Sequence, residues 1–281
     1  GELGHKTGKF FKIQGLNVKT NYGEIYEWNQ PIIHQDEVGY LGFIMKKVDG
    51  IFKFLAQAKV EPGNINNVQL SPTIQATKSN YSQVHKGRTP HFLKYFQNVK
   101  NKNILVDQLH SEQGSRFLMK RNRNIIIYAE EDLELYDNFK WVSLGQFNKL
   151  LQLDNMVNMD ARTVLSCIQY RGEYASKNKT STKFDESKIF INSFINRNSR
   201  NTIEDVLFFL TKQKFTYNLR TLRKSLNDIE GWSITDNEII HSTKKYFKVI
   251  AVDVKIEGRE ISSWTQPMIE PAQNGLCVFI C

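Results

Sequence analysis

Residues two apart on a strand project to the same side, and Lys59, Glu61 and Gln57 stand in that relation within Ile51-Phe-Lys-Phe-Leu-Ala-Gln-Ala-Lys-Val-Glu61. Phe52, Phe54, Ala56, Ala58 and Val60 take the opposite side. Same-side neighbours lie roughly 7 Å apart, so a cation and a carboxylate flank a space one sugar ring could fill. Such a pair can remove a proton and hold the oxyanion that results. The next segment divides more sharply. Gln69, Ser71, Thr73, Gln75, Thr77 and Ser79 share one parity, and Leu70, Pro72, Ile74 and Ala76 share the other. Uncharged hydroxyls and amides suit a neutral polyol or a nucleobase edge. A solvated face of an antiparallel sheet would alternate in the same way, although such faces usually carry Lys and Glu.

Downstream, Ser79-Asn80-Tyr81 and His85 bring an amide, a phenol and an imidazole near the end of that strand. Glu112 and Arg116 follow, then Arg121 and Arg123. Guanidinium groups at this density suit bidentate contact with phosphate; a solvated basic turn is the plainer reading. Neither Gly-x-Gly-x-x-Gly nor Gly-x-x-x-x-Gly-Lys-Ser/Thr occurs. There is no Cys/His cluster at metal spacing and no Gly-x-Ser-x-Gly. The expectation is therefore a site without metal or other cofactor.

The elements that must position these groups read as α+β. Alternating patterns at 9–19, 24–34, 38–47 and 51–61 predict consecutive antiparallel strands, joined at Asn21-Tyr22-Gly23 and Asp49-Gly50. Another strand is expected at 124–129. Helices are expected at 89–99, at 143–153 with Ser143 as N-cap, at 158–168, and at 202–213 with Thr202 as N-cap. The polar stretch Ser176–Glu186 reads as a linker. The chain has 281 residues, of which 40% are hydrophobic and 12% aromatic. That is enough for a substantial core and excludes wholesale disorder. No apolar run approaches the roughly 18 residues of a membrane span. Three cysteines, an odd and small number, fit a reducing cytoplasm. The net charge of +9 invites an anionic partner, nucleic acid or a phosphorylated small molecule, without choosing between them.

An internal repeat sets the larger organisation. Residues 11–44 and 247–280 align without a gap, 236 residues apart, with 13 of 34 positions identical, among them Trp28/Trp264, Gln30/Gln266, Pro31/Pro267, Gly39/Gly275 and Phe43/Phe279. The expected domains are a first repeat at 1–168 carrying the pocket, a mostly helical connector at 169–240, and the start of a second, truncated repeat at 241–281.

Several strings resemble the NDP-hexose 2,3-dehydratases. They are Trp28-Asn-Gln-Pro-Ile-Ile, Gln35-Asp-Glu-Val-Gly39, Gln57-Ala-Lys-Val-Glu-Pro-Gly-Asn64, Gln69-Leu-Ser-Pro-Thr-Ile-Gln-Ala-Thr77, Ser79-Asn-Tyr81 and Asn158-Met-Asp-Ala-Arg-Thr163. The similarity runs along 5–168 and resumes at 245–281. It implies tandem-duplicated Nudix-like domains, a homodimer, no metal, and action on dTDP-4-keto-6-deoxyglucose in deoxysugar biosynthesis. A downstream NADPH-dependent 3-ketoreductase would consume the product, and neither nucleic acid nor membrane would be a partner.

In that chemistry a base removes the C3 hydrogen beside the C4 ketone, and the enolate expels the C2 hydroxyl with help from an acid. Glu61 or His85 could be the base. Lys59 or Tyr81 could stabilise the enolate or protonate the departing hydroxyl. The candidate substrate contacts are Trp28, Gln30, Gln57, Asn64, Gln69, Thr73, Gln75, Thr77, Ser79 and Asn80, with Arg116, Arg121 or Arg123 for the diphosphate. Two rivals are a metal-dependent Nudix-type hydrolase, whose Gly-x5-Glu-x7-Arg-Glu-x-x-Glu-Glu string is absent, and a basic nucleotide- or nucleic-acid-binding module. Single-strand binding would need an exposed aromatic platform, which the polar strip lacks.

Overall fold

Asp49 and Gly50 both adopt positive φ, 52° and 81°, the conformation a two-residue hairpin turn requires. They join β4 (Gly39–Val48) to β5 (Ile51–Val60) in register from Val48↔Ile51 to Met45↔Phe54. The computed structural model describes residues 1–81, 88–169, 200–256 and 262–280. Before this hairpin come β1 (Leu3–Gly4), β2 (Lys12–Thr20) and β3 (Glu27–His34). After it come β6 (Val68–Ser71), β7 (Ile74–Ala76), α1 (Lys78–Tyr81), α2 (Leu93–Gln97), β8 (Ile104–Ser111), β9 (Arg121–Tyr128) and β10 (Phe139–Ser143). The remainder holds α3 (Leu144–Leu150), α4 (Met159–Ser166), α5 (Ile203–Thr216), β11 (Leu219–Lys224), β12 (Trp232–Ile234), β13 (Glu238–His241), β14 (Lys248–Lys255) and β15 (Ser263–Glu270). The architecture is mixed α+β. Among the described residues no helix is long and apolar enough to cross a membrane.

The central sheet runs β10-β5-β4-β9-β8, with β6 added to β5 and β7 to β4. β4 and β9 pair in parallel and their neighbours antiparallel. Both faces are covered, which explains the nearly continuous apolar runs in β4, β5 and β9. On one face Phe43, Phe54, Ala56 and Ile126 pack with Phe147 of α3 and with Ala161, Val164 and Leu165 of α4. On the other, Ile44, Leu55, Ile74, Ala76, Ile125 and Ile127 pack with Phe92, Leu93 and Phe96. Gly42 is required there: a Cβ would stand 2.5 Å from the Phe96 ring and 2.9 Å from Ile125. The predicted caps form. Ser143 and Gln146 make a reciprocal capping box on α3 and Thr202 caps α5, while Asn158, expected inside its helix, is instead the cap of α4 and accepts from Ala161 N.

The strands at 24–34 and 38–47 are not consecutive partners. β3 belongs with β2, and β4 opens the central sheet, because the segment between them leaves one layer for the other. The polar strip is not one face either. Pro72 lacks the N–H a ladder needs, and the strand breaks there, so β6 pairs β5 while β7 pairs β4. The break also reverses the parity: Leu70 packs on the α4 side of the sheet, whereas Ile74 and Ala76 pack on the α2 side. The 93–97 helix is shorter than the expected 89–99.

The repeat is visible in the geometry. Leu3↔Ile13 in β1–β2 corresponds to Ile239↔Val249 in β13–β14. Trp28 donates to Gln30 at 2.8 Å and Trp264 to Gln266 at 2.7 Å. His5 and His241 each bond a threonine two residues on, at 2.8 and 2.9 Å. The two copies share one core, where Phe11, Ile13 and Ile33 meet their equivalents Phe247, Val249 and Ile269 around Leu226 and Ile229.

The chain divides into two compact units, 1–17 with 28–168 and 221–281, and 18–27 with 169–220. In the second, Thr20 and Asn21 bond the carbonyls of Asn218 and Thr216, and Tyr22 meets Tyr217 edge-on. Of the region expected as a helical connector, the described part holds α5 followed by β11, β12 and the start of β13. The expected linker Ser176–Glu186 lies outside the described residues.

Candidate active site

Lys59 and Glu61 do come together, at 3.5 Å, at the end of β5. Gln75 of β7 joins them although it lies on another strand. Its side-chain amide donates to Glu61 Oε1 at 2.9 Å, and its backbone carbonyl accepts from Lys59 Nζ at 3.2 Å. Gln75 Oε1 in turn accepts from Asn158 Nδ2 at 3.0 Å. Asn158 therefore does two things: it caps α4 and it fixes the amide that orients Glu61. Its own backbone N–H bonds Leu70 O at 2.9 Å, tying the start of α4 to β6.

Two residues into the site from that cap is Asp160, a half-buried carboxyl held up to a pKa of about 7. Burial is the largest cause, with the charges of Glu112 and Glu61 adding to it, while Lys59 and Lys120 act in the opposite sense. Two carboxylates and two ammoniums act on it in opposite senses, and desolvation is the largest effect. Lys120 is buried, and its pKa is lowered chiefly by that burial. It donates to the backbone carbonyl of Glu37. Glu37 accepts from Ser79 Oγ at 2.9 Å, and Ser79 meets Thr77 Oγ1 at 2.9 Å, which also donates to Asn80. Across from these, Asn122 Nδ2 donates to Glu112 Oε1 at 2.6 Å.

The ends of β5, β7, β8 and β9 and the start of α4 thus surround a polar cluster of Glu61, Asp160, Glu112, Lys59 and Lys120. It contains a carboxylate oriented by an amide and a cation, and a carboxylic acid that is half-protonated near neutrality. That combination suits general base and general acid work side by side. Among the described residues no group of three His, Cys, Asp or Glu side chains is placed to hold a metal ion.

Other expected site residues have different settings. Thr73 is buried between β4 and β5, donating to Leu55 O at 2.5 Å and accepting from Ile44 N at 2.9 Å, a sheet-stabilising role. Ser71 bonds Pro72 O. Gln57 and Gln69 sit in the β5–β6 ladder opposite Ser71 and Lys59, and Asn64 bonds Asn67 O in the turn before it. Trp28 binds Gln30, which donates to Ser115 O at 2.9 Å. The Arg116 guanidinium lies 4.0 Å over the Phe247 ring. Arg123 makes a bidentate pair with Asp107 at 2.7 and 2.6 Å, and Arg121 is exposed. The side chain of Tyr81 and all of His85 lie outside the described residues.

Sequence reasoning missed Asp160, Lys120 and Asn122 as site residues. A signal for two of them was present: in Lys120-Arg-Asn-Arg-Asn124 the strand period sends Lys120, Asn122 and Asn124 inward and the arginines outward.

The sequence matches the family described as NDP-hexose 2,3-dehydratase over residues 1–168 and 203–281. The chain belongs to the NDP-hexose 2,3-dehydratase family. A relative in Saccharopolyspora spinosa, dTDP-4-dehydro-6-deoxy-alpha-D-glucopyranose 2,3-dehydratase, is 44% identical over 97% of this chain and 56% of its own length. The protein of the same name in Amycolatopsis orientalis is 40% identical over 100% of this chain and 56% of its own. This chain therefore spans little more than half the length of these dehydratases. Among solved structures, a chain in the complex between the C-terminal domain of mouse MUTYH and human PCNA covers 47% of this chain and 87% of its own, at 9% identity and a TM-score of 0.29, too remote to carry an argument.

Proposed function

We propose that this protein removes water across C2–C3 of dTDP-4-keto-6-deoxyglucose, giving a 3,4-diketo-2,6-dideoxy sugar for deoxysugar biosynthesis. The observation that carries the reading is the oriented Lys59–Glu61–Gln75 group beside Asp160, in a chain of this family. Glu61 takes the C3 proton, and the C3–H electron pair moves to the C3–C4 bond as the C4 oxygen becomes anionic. Lys59 faces that charge. The electrons then return to form C2=C3, the C2–O bond breaks, and the proton of Asp160 leaves with the hydroxyl as water. The resulting enol tautomerises to the diketone without further help from the protein.

Within the same reading, Ser79, Thr77 and Asn80 contact the sugar, Tyr81 and His85 stand near it, and exposed Arg121 contacts the diphosphate. The domains are Nudix-like and arose by duplication, and the recurrence of β1–β3 as β13–β15 supports the duplication. The protein works as a homodimer in the cytoplasm, where buried Cys167 and exposed Cys277 stay free thiols, and hands its product to an NADPH-dependent 3-ketoreductase. The test is mass spectrometry of dTDP-4-keto-6-deoxyglucose incubated with the protein, NADPH and such a reductase. Loss of one water with the diphosphate intact is expected; magnesium-dependent release of dTMP would favour a hydrolase instead.

A further inference from the structure

Lys120 is 5% exposed, yet among the described residues its ammonium has one hydrogen-bond acceptor, the Glu37 carbonyl. An ammonium carries three donors, and leaving two without an acceptor in a buried setting is costly unless a ligand takes them. Lys59, by comparison, is engaged by both Gln75 O and the Glu61 carboxylate. The structure around Lys120 holds it firmly. Glu112 N donates to its backbone carbonyl at 2.9 Å, and Glu37, its acceptor, is itself bonded by Ser79. The next inward residue, Asn122, fixes Glu112 rather than Lys120. Lys120 is thus a buried, positioned cation with unspent donors, in electrostatic range of Asp160.

We infer that Lys120 is a catalytic residue whose ammonium receives the negative charge on the substrate's C4 oxygen as the C3 proton departs. The inference rests on the dehydratase reading. A ketone oxygen supplies the missing acceptor in the ground state and a much stronger one when the C3–H electron pair reaches it, so the contact favours the enolate over the substrate. Lys59, tied to Glu61, then orients the base as well as facing the same charge. No proton moves to or from Lys120: it enters and leaves each turnover as the ammonium.

The experiment compares the full chain with Lys120→Met in three readouts: dehydration rate, exchange of the C3 hydrogen with deuterium in D2O, and affinity for dTDP, which has no ketone. Dehydration and exchange should both fall by about 100-fold or more, with dTDP affinity within about threefold. Dehydration and exchange near wild type would overturn the inference. So would loss of dTDP affinity along with activity, which marks a structural role, or lost dehydration with exchange retained, which moves Lys120 after the proton transfer. If Lys120→Met does not fold, Lys120→Gln, which keeps a donor to the Glu37 carbonyl without the charge, carries the same test and the same outcomes. A wild-type protein that neither exchanges nor dehydrates overturns the dehydratase reading itself.

Discussion

Asp160→Asn should make the protein more stable at alkaline pH while removing its activity, and the size of the gain follows from the setting of the carboxyl. Its pKa moves from 3.8 to about 7 on folding, a shift of about 3 units or about 4 kcal/mol in favour of the neutral form. Asp160 also occupies the first turn of α4, where the helix N-terminus stabilises a carboxylate by up to about 1 kcal/mol, leaving about 3 kcal/mol. The native state holds a proton that the unfolded chain has released between about pH 4 and pH 7. Stability from this group is therefore fully present near pH 4, declines as pH rises through that window, and is gone above pH 7. An amide does not titrate, so the difference between variant and wild type should be small at pH 4.5 and grow to about 3 kcal/mol in favour of Asn at pH 8. Denaturant unfolding of both proteins at several pH values measures it, and the other ionisable groups cancel in the difference. A difference that stays flat from pH 4.5 to 8 refutes the buried-acid reasoning. Turnover by the variant should fall by roughly two to four orders of magnitude, the range for a lost general acid.

Glu61→Gln and Lys59→Met should each lower turnover by about 100-fold or more while barely changing stability; wild-type rates in both would remove this pair from the mechanism. Thr73→Val keeps the shape but leaves Ile44 N and Leu55 O without their partner, and thermal or urea unfolding should show a loss of about 1–3 kcal/mol. Activity should survive EDTA, since Lys59 and Lys120 provide the charge stabilisation a Lewis acid would otherwise supply; loss on chelation with recovery on adding magnesium would contradict this.

The strand pattern made Lys59 and Glu61 legible because β5 is a regular strand, and period-2 reasoning holds wherever the ladder is unbroken. The same reasoning failed at Pro72, beyond that strand's turn, where a missing N–H ends one pairing and lets the chain cross to a second partner. Gln75 was therefore found as one of six equivalent polar residues, when only its position on β7 brings it to Glu61. The caps of α3 and α5 were readable from local chemistry, Ser143 and Thr202 each preceding an apolar-periodic run. That Asn158 would grip Gln75, far away in sequence, was not, because nothing local to either residue encodes the meeting of β7 with α4.

The guanidinium cluster shows what charge alone leaves unread. Arg121 and Arg123 drew attention as charges, but on a strand flanked by β4 and β8 their parity faces away from the α4 side, where Arg123 finds Asp107 and the Tyr40 ring. The residues between and before them, shorter or less conspicuous, are the ones the fold buries. The carboxylates of Glu37 and Glu112 favour the charged form of buried Lys120, and Asp160 keeps its proton near neutrality because burial and the charges of Glu112 and Glu61 outweigh Lys59 and Lys120. Each group's protonation state depends on the others, and those others come from four strands and a helix. That mutual dependence is what gives the cluster an acid and a base at the same pH. It arises only once the strand ends are packed together, so no single segment of the sequence carries it.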